Sequence, residues 1–172
     1  SGNVLKTVNS GTTWSPIFEN YGSYSIGTIT IDPKNPNILW LGTGENNSQR
    51  SVGFGDGIYK SVDAGTSWTH MGLKTSEHIA KIIVDPENKD NIYVAAQGPL
   101  WRSGGQRGLY NSSDGGSTWK RILHVSDDTG ISDVVMDQND HNIMYASTYQ
   151  RRRHFGILVA GGPEGGIFKS TD

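Results

Sequence analysis

The chain of 172 residues balances 15 Lys and Arg against 17 Asp and Glu, a formal charge of −2, with 23 glycines, no cysteine and a hydrophobic content of 34%. That length has room for one sizeable core, and the charge gives no bulk electrostatic reason to bind DNA or an anionic membrane. The lack of cysteine excludes disulfides and zinc–thiolate sites without fixing a compartment, no run approaches a membrane span, and no opening stretch reads as a signal peptide.

The first segment, NVLKT from Asn3, alternates apolar and polar positions as a two-faced strand does, and leads into TVNSGTTW at Thr7–Trp14. The same motif, Ser/Thr-x-Asp/Asn-x-Gly-x-x-Trp, returns as SVDAGTSW at Ser61–Trp68 and as SSDGGSTW at Ser112–Trp119, and a fourth copy opens at Ser170-Thr171-Asp172. Its third residues are Asn9, Asp63, Asp114 and Asp172, spaced by 54, 51 and 58 positions, a period that marks a repeat architecture.

Between the tryptophan motifs runs a second signature in the same register. Ile26–Leu41 reads IGTITIDPKNPNILWL, Ile79–Ala95 reads IAKIIVDPENKDNIYVA and Ile131–Ala146 reads ISDVVMDQNDHNIMYA. Each is an apolar β-branched run, an Asp-led turn and a second apolar run, which predicts a hairpin. Asp32, Asp85 and Asp137 open the turns, with Pro33 and Pro86 presetting the backbone behind two of them. A third strand (GIYKS from Gly57, GLYNS from Gly108, GIFKS from Gly166) enters each tryptophan motif, and a fourth starts at the tryptophan.

The repeat unit is therefore four antiparallel strands, A to D: a half unit over residues 1–20, full units over 26–72 and 79–123, and an incomplete unit over 131–172, thirteen strands in all. In the C–D turn the Asp or Asn side chain accepts backbone N–H groups, and Gly11, Gly65 and Gly116 take a positive φ. Trp14, Trp68 and Trp119 then cover the hairpin, a burial worth ~2–3 kcal/mol each. The motif is read as a staple of the fold, not as a calcium or catalytic site.

This pattern resembles the BNR or Asp-box repeat of β-propellers, and the DP-x-N-x-N-I hairpin alternating with G-I-Y-K-S-x-D-x-G-x-x-W looks most like the bacterial sortilin-like and xyloglucanase-like branch. The resemblance implies an all-β fold, a β-propeller of four-stranded antiparallel blades with Asp-box C–D turns, of which about three are present. Propellers close with about four to eight blades, so the resemblance implies a partial ring, completed by further blades or by a second copy of the chain. It also implies an extracellular or periplasmic location.

If strand A runs from top to bottom, the A–B turns and tryptophan-motif turns share the bottom face, and the B–C and D–A loops share the top. The B–C loops are long and differ: TGENNSQRSVGFGD from Thr43, QGPLWRSGGQR from Gln97 and TYQRRRHFGILVAGGPEGG from Thr148. Divergent loops on a regular scaffold are where binding residues are placed. Glu45, Asn46, Asn47, Gln49 and Arg50 offer paired donors and acceptors, while Trp101 with Arg102, and Tyr149 with Gln150 and Arg151, set a ring beside a polar arm. That mixture suits a glycan or a peptide, and packing of loops against neighbouring blades accounts for the same residues equally well.

Arg151-Arg152-Arg153-His154 is read as a solvated loop whose arginines pair with carboxylates of an adjacent blade. Three consecutive arginines cannot converge on one carboxylate as in sialidases, and the Phe/Tyr-Arg-Ile-Pro segment of that family is absent. A glycosidase needs two carboxyl groups, ~6.5–9.5 Å apart in the inverting case. The top face offers Glu45, Asp56, Glu77, Asp127, Asp128 and Glu164, with Glu45 and Asp56 the catalytic candidates. The five histidines are too scattered for a metal centre, GFGDG leads into a strand where phosphate binding needs a helix, and no cofactor is expected.

Three functions follow: a binding or scaffold module of an exported protein presenting its top loops to a glycan or protein ligand, part of a glycoside hydrolase acting on a β-glucan such as xyloglucan, or a protein-assembly factor.

Overall fold

The computed structural model describes residues 2–47 and 52–171. They form an all-β arrangement of antiparallel sheets, each built from strands consecutive in sequence. The first sheet pairs β1 (Leu5–Lys6) with β2 (Ser15–Pro16). The second orders β3 (Ile26–Ile31), β4 (Leu39–Thr43), β5 (Ile58–Ser61) and β6 (Thr69–His70) edge to edge. The third repeats this with β7 (Ile79–Val84), β8 (Ile92–Ala96), β9 (Gly108–Ser112) and β10 (Lys120–Leu123). The fourth holds β11 (Thr129–Met136), β12 (Met144–His154) and β14 (Gly166–Ser170), while β13 (Ile157–Ala160) pairs with the far end of β12.

Strand β13 was not expected. Strand β12 runs for eleven residues, turns at Phe155-Gly156 and returns with Arg151 opposite Ala160 and His154 opposite Ile157. The segment read as one long loop from Thr148 is thus a hairpin arm followed by a shorter loop. Gly156, at φ 76°, closes the turn, and the apolar run ILVA behind it is strand-forming.

The first strands of consecutive units, β3, β7 and β11, lie side by side. Thr30 Oγ1 donates to the Ile82 carbonyl across one junction at 2.8 Å. Each of these strands carries a register shift one residue after its first apolar position, at Ile26/Thr28, Ile79/Lys81 and Ile131/Asp133. A bulge there increases the local twist, which lets successive sheets fan instead of stacking flat. Gly27 sits at the first of these shifts because a Cβ there would lie 2.2 Å from the Ile79 carbonyl oxygen.

Apolar clusters fill the spaces between sheets. Trp40, Ile58, Leu73, Ile79, Ile82 and Val94 form the largest, between the second and third sheets. Phe18, Leu39, Leu41, Tyr59 and Trp68 join the first to the second, and Ala95, Leu109, Ile131, Val134 and Ala146 join the third to the fourth.

The turns of the tryptophan motif have the expected local bonding. Asp63 Oδ1 accepts the Ser67 N–H at 2.8 Å and Asp114 Oδ1 the Thr118 N–H at 2.9 Å, while Asn9 Oδ1 does the same for Thr13 at 2.9 Å. Gly11, Gly65 and Gly116 have φ near 90°, at 88°, 89° and 94°. The turns lie against the A–B turns, with Ala64 N–H donating to the Asn37 carbonyl and Gly115 N–H to that of Asp90.

What the indole does differs from the expectation. It does not cover its own hairpin; it crosses to the preceding sheet. Trp68 Nε1 donates to the Ile17 carbonyl at 2.8 Å, and Trp119 Nε1 to the Met71 carbonyl at 2.7 Å. Lysines tie the junction in the other direction: Lys6 Nζ reaches the Ala64 carbonyl and Lys60 Nζ the Gly115 carbonyl. Trp14, in the first sheet, is 56% exposed and its Nε1 turns back to the Gly11 carbonyl. The glycine-led turn points the ring away from its own strands, so burial requires a neighbouring sheet. Asp172 lies outside the described residues.

Trp68→Ala should cost about 3–5 kcal/mol in urea unfolding, as for a buried aromatic cut to a methyl, whereas Trp14→Ala should stay within about 0.5 kcal/mol. Acid should act through the same turns. Hydroxyl and backbone donors, led by Ser67 for Asp63 and by Thr118 for Asp114, hold both carboxyls down to about 2. A folded value below the unfolded one, about 3.9, means stability that is complete above about pH 4 and is lost as pH falls through about 2. The urea midpoint should drop across that window, and the drop should shrink in an Asp63→Asn/Asp114→Asn double variant.

Candidate functional site

The top face is assembled by loops from different sheets bonding to one another. Gly55 N–H donates to the Glu77 carbonyl and Arg153 N–H to that of Leu100, while Gln97 N–H donates to that of His78 at the end of the third sheet's own β7–β8 pair. The B–C loops of the second, third and fourth sheets and the D–A segments before them therefore share one rim.

In the first of these loops, the half-buried Glu45 accepts the Gly53 N–H on Oε2 at 2.7 Å. Asn46 Nδ2 donates to the Ile79 carbonyl at 2.8 Å, and its Oδ1 is buried without a hydrogen bond among the described residues. Asn47 is exposed, and its carbonyl accepts Arg151 Nη2 at 2.6 Å. Gln49 and Arg50 lie outside the described residues. In the second loop, Trp101 is 57% exposed, with the Arg153 guanidinium 5.9 Å from its ring centroid. Arg102 pairs with Glu77 at 2.9 Å. Tyr149 and Gln150, both half-buried, stand at the base of the hairpin arm on β12.

The arginine run is not a solvated loop. Arg151, Arg152 and Arg153 are strand residues, 5%, 9% and 8% exposed. Arg151 bridges two loops, donating from Nη1 to Gln97 Oε1 at 2.9 Å and from Nη2 to Asn47. Arg152 Nε lies 3.4 Å from Asp128 Oδ1, an ion contact without hydrogen-bond alignment. Pairing in β12 with β11 and β13 carries these side chains into the rim instead of into water. Burial lowers the Arg151 pKa from its ordinary value, and the carbonyl and amide oxygens around it keep the cation solvated by protein.

Two rim residues escaped the sequence reading. Arg107, 1% exposed, donates from Nη1 to the Gln97 carbonyl at 2.7 Å and from Nη2 to those of Pro99 and Arg102, and burial brings it down to about 10. His78, also 1% exposed, is lowered to about 4 by burial and by the charge of Arg151, so it is neutral at physiological pH. Neither has a sequence signal, since a lone Arg before a strand and a lone His look like surface residues.

The carboxylates are engaged. Asp56 Oδ2 accepts the Tyr59 hydroxyl at 2.6 Å and Oδ1 lies 3.3 Å from Thr43 Oγ1; burial and this carboxylate raise the Tyr59 pKa. Glu164 accepts the hydroxyls of Ser126 and Thr129, which lower its pKa. Asp128 accepts Ser103 Oγ at 2.7 Å, and Asp127 lies 3.6 Å from His124 Nε2. Among the described residues no group of three or more His, Asp and Glu could hold a metal, and no helix is long and apolar enough to cross a membrane.

No family model matches the chain. It is 27% identical over 152 residues to a xyloglucanase of Hypocrea jecorina, covering 80% of this chain and 17% of that protein. It is 31% identical over 99 residues to a probable oligoxyloglucan-reducing end-specific xyloglucanase of Neosartorya fischeri, covering 55% and 10%. The chain thus spans under a fifth of the length of these curated relatives. Among solved structures it is similar to an ancestral GH74 enzyme (TM-score 0.68, 20% identity, 99% of this chain and 20% of that one). It is also similar to the GH74 xyloglucanase of Xanthomonas campestris (TM-score 0.66, 20% identity, 99% and 26%). The fold is therefore that of a β-propeller arc, with a partial ring of four-stranded antiparallel blades.

Arg151→Ala should lower stability by about 1–3 kcal/mol, because Gln97 and the Asn47 carbonyl lose a buried donor. Trp101→Ala should leave it within about 0.5 kcal/mol. Urea unfolding of the two variants side by side checks this.

Proposed function

We propose that this chain is a blade arc of a glycoside hydrolase acting on xyloglucan, and that its blades present loops to the glycan. This exchanges the leading sequence reading, a binding or scaffold module, for the hydrolase alternative. The observation that carries it is the similarity to a xyloglucanase across 80% of the chain, supported by the shared propeller fold. The tryptophan motifs are Asp boxes in this reading, and the whole protein is exported.

Within that enzyme the arc has a holding role. Glu45, Asp56, Glu77, Asp128 and Glu164 are each committed to a loop contact, whereas hydrolysis needs an acid and a base free to face the sugar from opposite sides. Trp101 is placed differently, with an exposed ring beside Arg102 and Arg153. A flat apolar ring flanked by cationic donors suits a sugar face and its hydroxyls.

The test is xyloglucan hydrolysis by the full-length polypeptide that contains this segment, followed as new reducing ends. Trp101→Ala should raise KM about tenfold and leave kcat within about twofold, as expected when binding common to ground and transition states is removed. Retention on xyloglucan without any hydrolysis would favour the non-catalytic glycan-binding module. Neither retention nor hydrolysis would sink the glycan reading.

A further inference from the structure

The segment leading into β7 carries two backbone outliers. Leu73 and Glu77 have positive φ, at 54° and 59°, where a side chain crowds its own backbone. Glu77, with ψ −30°, is the centre of a tight turn in which the His78 N–H donates to the Ser76 carbonyl at 2.7 Å. Such a γ-turn is strained and persists only where its surroundings hold it. Here the loops hold it. The Glu77 carbonyl accepts the Gly55 N–H at 2.7 Å, its carboxylate pairs with Arg102, and the Thr75 N–H donates to Gln106 Oε1 at 2.9 Å. Residues 74–78 therefore form a wedge between the B–C loops of the second and third sheets.

The wedge ends in a buried imidazole. The His78 ring bonds the Glu45 backbone, and its Nδ1 is buried with no hydrogen-bond partner among the described residues. A bond to a backbone carbonyl assigns the hydrogen to Nε2, so Nδ1 carries a lone pair. Charged groups face the ring from each element packed against it: Glu45 from the loop after β4, Arg107 from the segment before β9, and Arg151 from β12. A proton added at Nδ1 makes a third cation opposite one carboxylate, in a residue 1% exposed, with no acceptor for the new N–H.

The neighbour most disturbed by that charge is the one that fastens the rim. Gln97 gives its N–H to the His78 carbonyl, and its side-chain oxygen accepts Arg151 Nη1 at 2.9 Å, while Arg151 Nη2 reaches the Asn47 carbonyl. An imidazolium and the Arg151 guanidinium repel each other, and separating them parts the bridge from the wedge.

We propose that His78 is an acid-released latch: its neutral ring keeps the strained 74–78 wedge seated against the Arg151 bridge, and protonation of the ring frees the wedge together with the loops at Asn47 and Gln97. This is a property of the rim and does not depend on the activity proposed above. Burial and the charge of Arg151 hold the closed ring at about 4, against about 6.5 for a solvated histidine. The closed form is therefore fully stable above about pH 6.5 and loses stability as pH falls toward about 4, because the open form takes up the proton first. From about pH 7.5 to about pH 5 the ratio of open to closed rim should rise about thirtyfold. That window lies above the one in which Asp63 and Asp114 titrate, so the two acid effects are separable.

Amide hydrogen exchange, followed by mass spectrometry on the full-length polypeptide that contains this segment and corrected for the intrinsic pH dependence of exchange, reads the latch. Peptides covering 43–47, 73–78 and 97–107 should lose protection about thirtyfold between about pH 7.5 and about pH 5, while those covering β8 and β9 should keep theirs. His78→Gln retains a donor for the Glu45 backbone and has no titrating ring, so its loops should hold constant protection over the same range. Exchange of the imidazole C2 hydrogen in the unaltered protein is independent of any folding defect in that variant, and should give His78 a midpoint below about 5. Four results would each overturn the proposal: flat loop protection in the unaltered protein, an equal loss from β8 and β9, the same loss in His78→Gln, or a His78 midpoint near about 6.5.

Discussion

The indole that leaves its own hairpin to bond a carbonyl of the preceding sheet is the interaction on which the arrangement rests. A four-stranded antiparallel sheet with apolar residues on both faces cannot bury them alone, so each must lean on a neighbour. The Trp68 and Trp119 N–H bonds to Ile17 and Met71 fix how far each sheet lies from the last. Lys6 and Lys60 fasten the same junctions from the opposite side. The turn that aims the indole depends in turn on one carboxylate or amide and one glycine with φ near 90°. A local hydrogen-bond pattern is thereby converted into a packing distance between sheets, and the fan of blades follows.

The rim of loops is held on a different principle. At the bottom, turns are short and their backbone groups bond locally. At the top, long loops leave carbonyls that no ladder pairs, and buried cations supply the donors. Arg107 bonds three carbonyls of its own loop, and Arg151 bonds an amide oxygen and a carbonyl from two other loops. The planar guanidinium, with five donors in fixed directions, suits this task where an ammonium group would not. A buried guanidinium is costly unless its donors are met; loop oxygens meet both Nη groups of Arg107 and of Arg151, while Arg107 Nε has no partner among the described residues. The same network explains why the rim carboxylates are occupied: Glu77 and Asp128 face Arg102 and Arg152.

Similarity to xyloglucanases and the propeller fold bear on function unequally. One scaffold carries many activities, so the fold alone would leave the function open; sequence likeness to glycan-degrading proteins is what turns the reading toward xyloglucan. In the proposed reading, the engaged carboxylates leave the arc the part of presenting and holding the glycan. Trp101, exposed on a rim otherwise tied down, is the residue whose position fits that part.

Most of the architecture was legible before any coordinates. Alternating apolar runs, Asp-led turns and the recurring SxDxGxxW pattern encode contacts within about fifteen residues, and such short-range patterns survive as periodicity in a sequence. They determined the all-β class, the four-strand unit and its repetition. The partner of each tryptophan, the inward course of Arg151 to Arg153, the burial of His78 and Arg107, and the extra strand β13 were decided only by the tertiary structure. Each depends on which sheet lies alongside, and a residue's neighbours across a junction about fifty positions away leave no mark in its local sequence. A polar run such as RRRH reads as solvated until another sheet is set against it, because burial belongs to the assembled fold and hydropathy to the residue.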